Sequence, residues 1–185
     1  GRSMTYASLM VHLDLGAPNA GLLQVAADLA GRFEARVIGI AACQPMPIAF
    51  GDGYMSAEVI EQDRAESEKE TNAAEADFRA ALHGKVAEPE WRSTISYMAL
   101  ADYVAGQARG ADLLITGPDR KGPSLDSSRQ VNIGDLVMRI GRPVLIVPPG
   151  VATLDLANVV VGWKESRETR RAVSDALPLL QQAGR

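Results

Sequence analysis

Cysteine, histidine and aromatic residues are scarce in this sequence, and each scarcity excludes a class of function. The single cysteine, Cys43, cannot form an internal disulfide framework, and it cannot build a cysteine-rich zinc site with only two histidines in the chain. Aromatic residues make up 5% of the chain, too few for a base-stacking surface. The net charge of −4 argues against nucleic acid or an anionic membrane as a partner.

Long apolar runs are also missing. The longest are of strand size, such as Val144 to Pro149, so the sequence predicts no membrane-spanning helix. No charged and then apolar secretory leader precedes the first apolar run, and we therefore expect a cytoplasmic location. The residues Gly1 to Ser3, which precede Met4, are interpreted as residues left by cloning.

What the sequence does contain is an alternation of short apolar runs with helical patterns. The run Ser8 to Leu13 is followed by apolar residues at helical spacing up to Phe33 and by a second run, Val37 to Cys43. Further strands are predicted at Trp91–Ser96, Asp112–Thr116 and Val144–Val147, and further helices at Ser56–Leu82, Ala101–Arg109 and Asn132–Ile140. This order predicts an open α/β fold, with a five-stranded parallel sheet and helices on both faces.

The predicted helix Ser56–Leu82 is strongly acidic. Between Asp52 and Gly84 the sequence has nine acidic and three basic residues. Two interpretations remain open, an acidic interaction surface and a solvated outer helix face.

After Asp155 the pattern of the first domain begins again. With an offset of 150 residues, Val159 to Val161 align with Leu9 to Val11, and the apolar helical positions that follow align without a gap. We therefore predict one complete domain at residues 4–150 and the first strand and helix of a truncated second repeat at 157–185. The predicted strand Asn158 to Trp163 has to join the first sheet, join another chain or be loosely held. Charge separates the parts as well, with −6 for residues 1–157 and +2 for 158–185.

The residues that follow the predicted strands are the candidates for ligand binding. In an open parallel sheet, ligands bind beyond the carboxyl ends of the strands. Asp14 and Gly117 occupy such positions, and Gly122 and Gly134 follow in the loop and at the next helix start. Glycines let backbone N–H groups approach phosphate oxygens, and a helix N-terminus favours an anion. The alternative is a plain structural loop.

Four segments together resemble the universal stress protein family. They are Leu9–Asp14, Ala35–Ile40, Gly110–Gly117 and Arg142–Val147, and the similarity runs from about Thr5 to Pro149. The restart from Val159 to Glu168 resembles the opening of the second half of tandem universal stress proteins.

This resemblance implies a Rossmann-like fold, related to the adenine nucleotide alpha hydrolases, and a role in stress resistance. It also implies homodimers formed through the edge strand Val144–Val147. Some members of the family bind ATP or another adenine nucleotide. In such a site Asp14 would lie near the adenine and ribose, and the backbone of Ala42 would read the adenine edge. Gly117, Gly122 and Gly134 would stand for the glycines of the phosphate loop.

Two residues depart from the family's glycine pattern. Arg120 stands where the second glycine is expected, and Asp135 stands where a serine or threonine should follow the third. Asp135 would place a like charge beside a phosphate, which costs about 4 kcal/mol at 4 Å and an effective dielectric constant of 20. The alternative role of Asp135 is that of an acidic residue at a helix start.

Three further residues keep alternative interpretations. Asp14 is either a ligand-binding residue or a cap of the first helix or its turn. Cys43 is either a redox sensor or a small buried hydrophobic residue. His12, inside the first predicted strand, is interpreted as a packed or edge histidine, and no base for nucleophilic catalysis can be assembled from it.

The functional hypothesis that follows is a non-enzymatic, cytoplasmic stress-response protein that acts through dimerisation, with room for a small ligand. The alternative is a sensor that binds ATP or another nucleotide, with at most slow ATP hydrolysis. A different enzyme of the same superfold is a third class, but the sequence has no P-loop and no dinucleotide fingerprint after the first strand.

Overall fold

Strands and helices alternate along the chain in the computed structural model, which describes residues 5–46, 55–120 and 127–184. The strands are β1 (Ser8–His12), β2 (Arg36–Cys43), β3 (Glu90–Ile95), β4 (Leu113–Thr116) and β5 (Val144–Ile146). The helices are α1 (Ala20–Phe33), α2 (Ala57–Leu82), α3 (Leu100–Gln107), α4 (Ile133–Ile140) and α5 (Arg167–Leu180). Each predicted element of the first domain is confirmed, with ends shifted by one or two residues. No helix within these ranges is both long and apolar enough to cross a membrane.

The five strands form one parallel sheet in the order β3-β2-β1-β4-β5. β1 lies at the centre, where Met10 stands opposite Ile38 on β2 and Leu114 on β4. The chain builds outward from β1 to β3 and then returns to the other side of β1, so the switch point in strand order lies between β1 and β4. The predicted open parallel sheet is confirmed.

Alternation along β1 divides the apolar side chains between the two faces of the sheet. Leu9 and Val11 belong to a core formed with α1 and α2, while Met10 belongs to a core formed with α3 and α4. All three side chains are fully buried. A strand that is covered on both faces reads as a continuous apolar run, which is why it was recognisable in the sequence.

Most of α2 faces solvent. Ser56 caps its N-terminus by accepting a hydrogen bond from the backbone of Val59, and its buried positions begin only at Ser67. These are Ser67, Thr71, Ala74, Phe78 and Leu82. The acidic residues therefore lie mainly on an exposed face, which agrees with the solvated-face interpretation and leaves an interaction surface untested.

The chain after β5 returns across the α1 side of the sheet. Val151 and Leu154 pack against the core beside α1, and Leu156 is buried. The predicted helix after the restart is confirmed as α5, whose Leu179 also packs on this core. The hydroxyl of Tyr6 donates a 2.7 Å hydrogen bond to the carbonyl of Asp175 and so holds α5 near the start of β1.

The predicted strand Asn158 to Trp163 does not form in the single chain. These residues pair with no strand of the described chain, and Val160 is 95% exposed. The reason is that a strand needs a neighbour to satisfy its backbone groups, whatever its propensity.

Two glycines of α1 test whether the segment after β5 is docked as described. A Cβ at Gly21 would lie 2.3 Å from the carbonyl oxygen of Val151, whereas a Cβ at Gly31 would meet nothing within 4 Å. We expect Gly21→Ala to lower the free energy of unfolding by about 1–3 kcal/mol through overpacking. Gly31→Ala, the matched control, should raise it by up to about 1 kcal/mol because alanine favours a helix. Urea denaturation measures both, and a neutral Gly21→Ala would show that Val151 is not packed there.

Candidate functional site

The sheet presents a shallow cleft above the carboxyl ends of β1 and β4, on either side of the switch point. This is the general place for ligands in open α/β sheets. Its walls are the turn that follows β1, the loop that begins at Gly117 and the start of α4.

An ion pair joins the two loops across this cleft. The Nε of Arg120 lies 2.8 Å from Oδ2 of Asp14, and Nη2 lies 3.3 Å from Oδ1. The same guanidinium donates to the carbonyls of Gly16, at 3.2 Å, and Leu15, at 3.4 Å. The guanidinium therefore forms an ion pair with the carboxylate, donates a hydrogen bond to one of its oxygens and donates to two carbonyls of the β1–α1 turn, an arrangement that the several donors of arginine allow.

Asp14 does not cap α1, so that interpretation is wrong. The turn is closed by Asn19, whose amide accepts from the backbone N–H of Asp14 at 3.1 Å and donates to its carbonyl at 3.0 Å. The carboxylate of Asp14 faces Arg120 instead. Burial raises the pKa of Asp14, and the guanidinium of Arg120 opposes that rise.

The N-terminus of α4 is occupied by groups of the chain itself. Oδ1 of Asp119 accepts from the backbone N–H of Ile133 at 2.9 Å, and Oδ1 of Asn132 accepts from that of Asp135 at 2.8 Å. Asp135 lies exposed in the first turn, in agreement with its interpretation as an acidic residue at a helix start. Asp119 already supplies the negative charge that a helix N-terminus attracts.

His12 lies beneath the cleft and is bound to β4. Its Nδ1 is 2.9 Å from the hydroxyl oxygen of Thr116, and both residues are buried. Burial lowers the pKa of His12 to about 4, so the ring is neutral at physiological pH. The packed-histidine interpretation is confirmed, but His12 is not an edge residue because β1 is the central strand.

The space left in the cleft is small. It measures about 20 Å³ and is lined by residues that include His12, Asp14, Thr116 and Gln130. Pockets for small organic ligands measure about 300–1,000 Å³, whereas a single water needs about 10–15 Å³. As folded, the cleft holds at most a water molecule or two.

The other predicted site residues are spread around this cleft. Ile40 accepts from the backbone of Leu13, so by alternation the backbone groups of Ala42 point to the same side, beyond the end of β1. Gly117 lies at the mouth of the cleft, where a Cβ would approach nothing closer than the Val147 carbonyl, at 4.0 Å. Gly134 is exposed in the first turn of α4. Gly122 lies outside the described residues.

The returning part of the loop covers the end of β2. The carbonyl of Ser128 accepts a 2.7 Å hydrogen bond from the backbone N–H of Gln44. Arg129 forms a 2.9 Å ion pair with Glu70 on α2. Cys43, at this end of β2, is fully buried, and burial raises the pKa of its thiol. This environment agrees with the small-hydrophobic interpretation of Cys43 and leaves little thiolate for redox chemistry.

The interactions that shape the cleft were not evident in the sequence. Arg120 stood out only as a departure from a glycine pattern, and Asp119 and Thr116 were not among the candidate residues. The signal for Asp119 was its position between a strand end and a helix start, where an acidic side chain can cap the helix. For Thr116 no sequence signal existed, because its partner His12 lies on another strand.

The residues present do not fit a nucleoside triphosphate. The room is too small, and the carboxylates of Asp119 and Asp135 lie at the helix start that would face the phosphates. Among the described residues, no three or more His, Cys, Asp or Glu side chains are grouped so as to hold a metal ion that could offset this charge.

No family model and no curated protein matches the chain. Solved structures do. A protein of the universal stress protein family from Burkholderia pseudomallei has a TM-score of 0.52 at 22% identity, covering 77% of this chain and 96% of its own. The universal stress protein UspA from Lactobacillus plantarum has a TM-score of 0.55 at 15% identity, with coverages of 78% and 99%.

A third match is a universal stress protein solved in complex with cAMP. Its TM-score is 0.52 at 21% identity, and the match covers 78% of this chain and 98% of that one. Likeness at this identity establishes the fold. The chain therefore has the Rossmann-like α/β fold of universal stress proteins, as the resemblance implied.

The burial of His12 predicts a pH dependence of stability. Its pKa is about 4 in the folded chain and about 6.5 when unfolded. Between these values the unfolded state binds a proton that the folded state excludes. Stability should thus fall by up to about 3 kcal/mol as the pH drops from 6.5 to 4.

Urea denaturation of wild type and His12→Asn between pH 7 and pH 4 measures this effect. The variant should lose the additional slope of stability with pH in this window, whereas His83→Asn, at an exposed histidine, should retain it. Equal slopes for wild type and His12→Asn would contradict the buried, neutral state of His12.

Proposed function

We propose that this chain is a universal stress protein of the cytoplasm that acts by self-association and not as an enzyme. The shared fold and the four resembling sequence segments support the family. The closed cleft supports an activity that does not depend on turning over a nucleotide.

The observation that carries the proposal is the free edge of the sheet at β5. This strand pairs with β4 on one side only, and Ile146 is 43% exposed. On α4, the helix that precedes β5, Val137 and Met138 are also exposed, the latter to 86%. An apolar edge strand is a template for pairing with another chain. Pairing with the same strand of a second copy gives a closed two-fold dimer.

The side chains of the cleft give no support to a hydrolase. His12 is buried, neutral and bound to Thr116, and Asp14 is bound to Arg120. Both groups are therefore engaged by the chain itself, whereas a general base has to be within hydrogen-bond reach of the proton it takes, directly or through one water.

The alternative is a sensor that binds an adenine nucleotide without a triphosphate-binding loop. The observation in its favour is that the backbone groups of Ala42 point beyond the end of β1, at the edge of the sheet where Gly117 lines the cleft. The similar universal stress protein solved with cAMP adds to it. This alternative requires the cleft to open.

The substitution Ile146→Lys tests the dimer. The new charge would lie within the strand that pairs with the second copy, so we expect the mass in sedimentation velocity to fall to that of one chain. Because Ile146 is partly exposed, the melting temperature of the single chain should change little.

Val59→Lys is the matched control. Val59 is 39% exposed on α2, away from β5, and its substitution adds the same charge to the surface. It should leave the dimer intact. An Ile146→Lys protein with the mass of wild type would refute pairing through β5.

We propose further that residues 157–185 are the first strand and helix of a second repeat, and that Asn158 to Trp163 pairs with the sheet of another copy. The exposed run of three valines and a tryptophan supports this, since such a segment gains backbone partners only by joining a sheet.

Val160→Lys tests this second contact. Since Val160 is 95% exposed, the substitution should not affect the folding of one chain. We expect species larger than the dimer to disappear in sedimentation velocity while the dimer remains. If wild type forms no larger species, or if the variant forms them equally, the segment does not pair between copies.

A further inference from the structure

We propose that Arg120 and Asp119 form an intramolecular plug that keeps the candidate ligand cleft closed to adenine nucleotides. This inference deepens the proposed function, in which the chain turns over no nucleotide. The plug consists of two adjacent side chains that bind in opposite directions, Asp119 to α4 and Arg120 to the turn after β1.

Asp119 takes the position of an external anion. Its carboxylate accepts from the N–H of Ile133, the first residue of α4. At this end the helix dipole and the unpaired N–H groups favour a negative charge, which in a ligand would be a phosphate. A ligand phosphate would have to displace Asp119 or lie beside its charge, and both are unfavourable.

Arg120 takes the position that the ribose of a nucleotide would occupy beside Asp14. Its guanidinium spans the opening from the β4 loop to Asp14 and to the carbonyls of Leu15 and Gly16. Ligands of open α/β sheets bind beyond the carboxyl ends of the strands, where a carboxylate can accept hydrogen bonds from hydroxyl groups such as those of a ribose. Here its oxygens are bound by the chain itself.

The plug also stabilises the fold in which it lies. Without Arg120, the half-buried carboxylate of Asp14 would lose its cation and would have to bind water, a proton or a ligand with hydroxyl groups. A ligand therefore competes with an internal group tethered to the site, whose effective concentration is high. The space that remains beside Asp14 in the closed cleft is only about 20 Å³.

The two explanations predict opposite effects of removing Arg120 on the affinity for a nucleotide. Deletion of a cation ordinarily weakens the binding of an anion. If Arg120 is a plug, Arg120→Ala should instead bind AMP at least tenfold more tightly than wild type in isothermal titration calorimetry. Wild type itself should show no rise in melting temperature with millimolar AMP or ATP and Mg²⁺.

Arg139→Ala is the matched control. Arg139 forms an ion pair with Asp102 between α4 and α3, so its removal changes the net charge equally and leaves the cleft intact. This variant should bind AMP no better than wild type. Arg120→Lys keeps the charge but lacks the planar guanidinium that contacts Asp14 and the two carbonyls together. Its gain in AMP affinity should therefore be smaller than that of Arg120→Ala. It also serves if Arg120→Ala does not fold.

Hydrogen exchange gives a readout that needs no ligand. The backbone amides of residues 14–17 and 19 should exchange faster in Arg120→Ala than in Arg139→Ala, because the turn loses its ion pair and hydrogen bonds to the β4 loop. The plug is refuted if Arg120→Ala and Arg120→Lys bind AMP no better than Arg139→Ala, or if wild type binds it equally well. The proposed dimer is tested separately, because sedimentation velocity measures its mass and does not depend on AMP binding.

Discussion

The burial of β1 on both faces is the constraint on which the rest of this structure depends. Leu9, Met10 and Val11 are fully buried, and their alternation supplies one side chain after another to the two cores. Both edges of β1 are paired as well, with β2 and β4. The strand therefore orients α1 and α2 on one face and α3 and α4 on the other. Its carboxyl end places Asp14 at the switch point.

A strand that is buried on both faces is also the kind most easily recognised in a sequence, as a continuous apolar run. The repeated pattern after Asp155 shows that such a run does not suffice to form a strand. Val159 to Val161 have the pattern of Leu9 to Val11, yet they form no strand in the single chain. The difference lies in their surroundings, because strand propensity reflects packing and pairing with neighbours more than an intrinsic preference of the backbone. The helix α5 did form as predicted, since its hydrogen bonds are internal to the segment.

In the candidate site, too, the positions fixed by local sequence pattern were predictable and the contacts between distant residues were not. Asp14 and Gly117 could be placed at one edge of the sheet because parallel strands end together. The closure of the cleft could not be predicted, because Arg120 reaches Asp14 across 106 residues and a long side chain has many directions open to it. Asp135 raised the question of charge near a phosphate, but the carboxylate that binds the start of α4 is that of Asp119.

Internal side chains can take the place of a ligand in this cleft without a change in the strands and helices of the fold. The groups that would hold a nucleotide are strand ends, backbone N–H groups and a helix N-terminus, and their arrangement is set by the sheet and its two cores. Asp119 and Arg120 use these same groups without altering a strand or a helix. A chain with its cleft occupied in this way still presents the unpaired strand β5 and the exposed valines of 159–161.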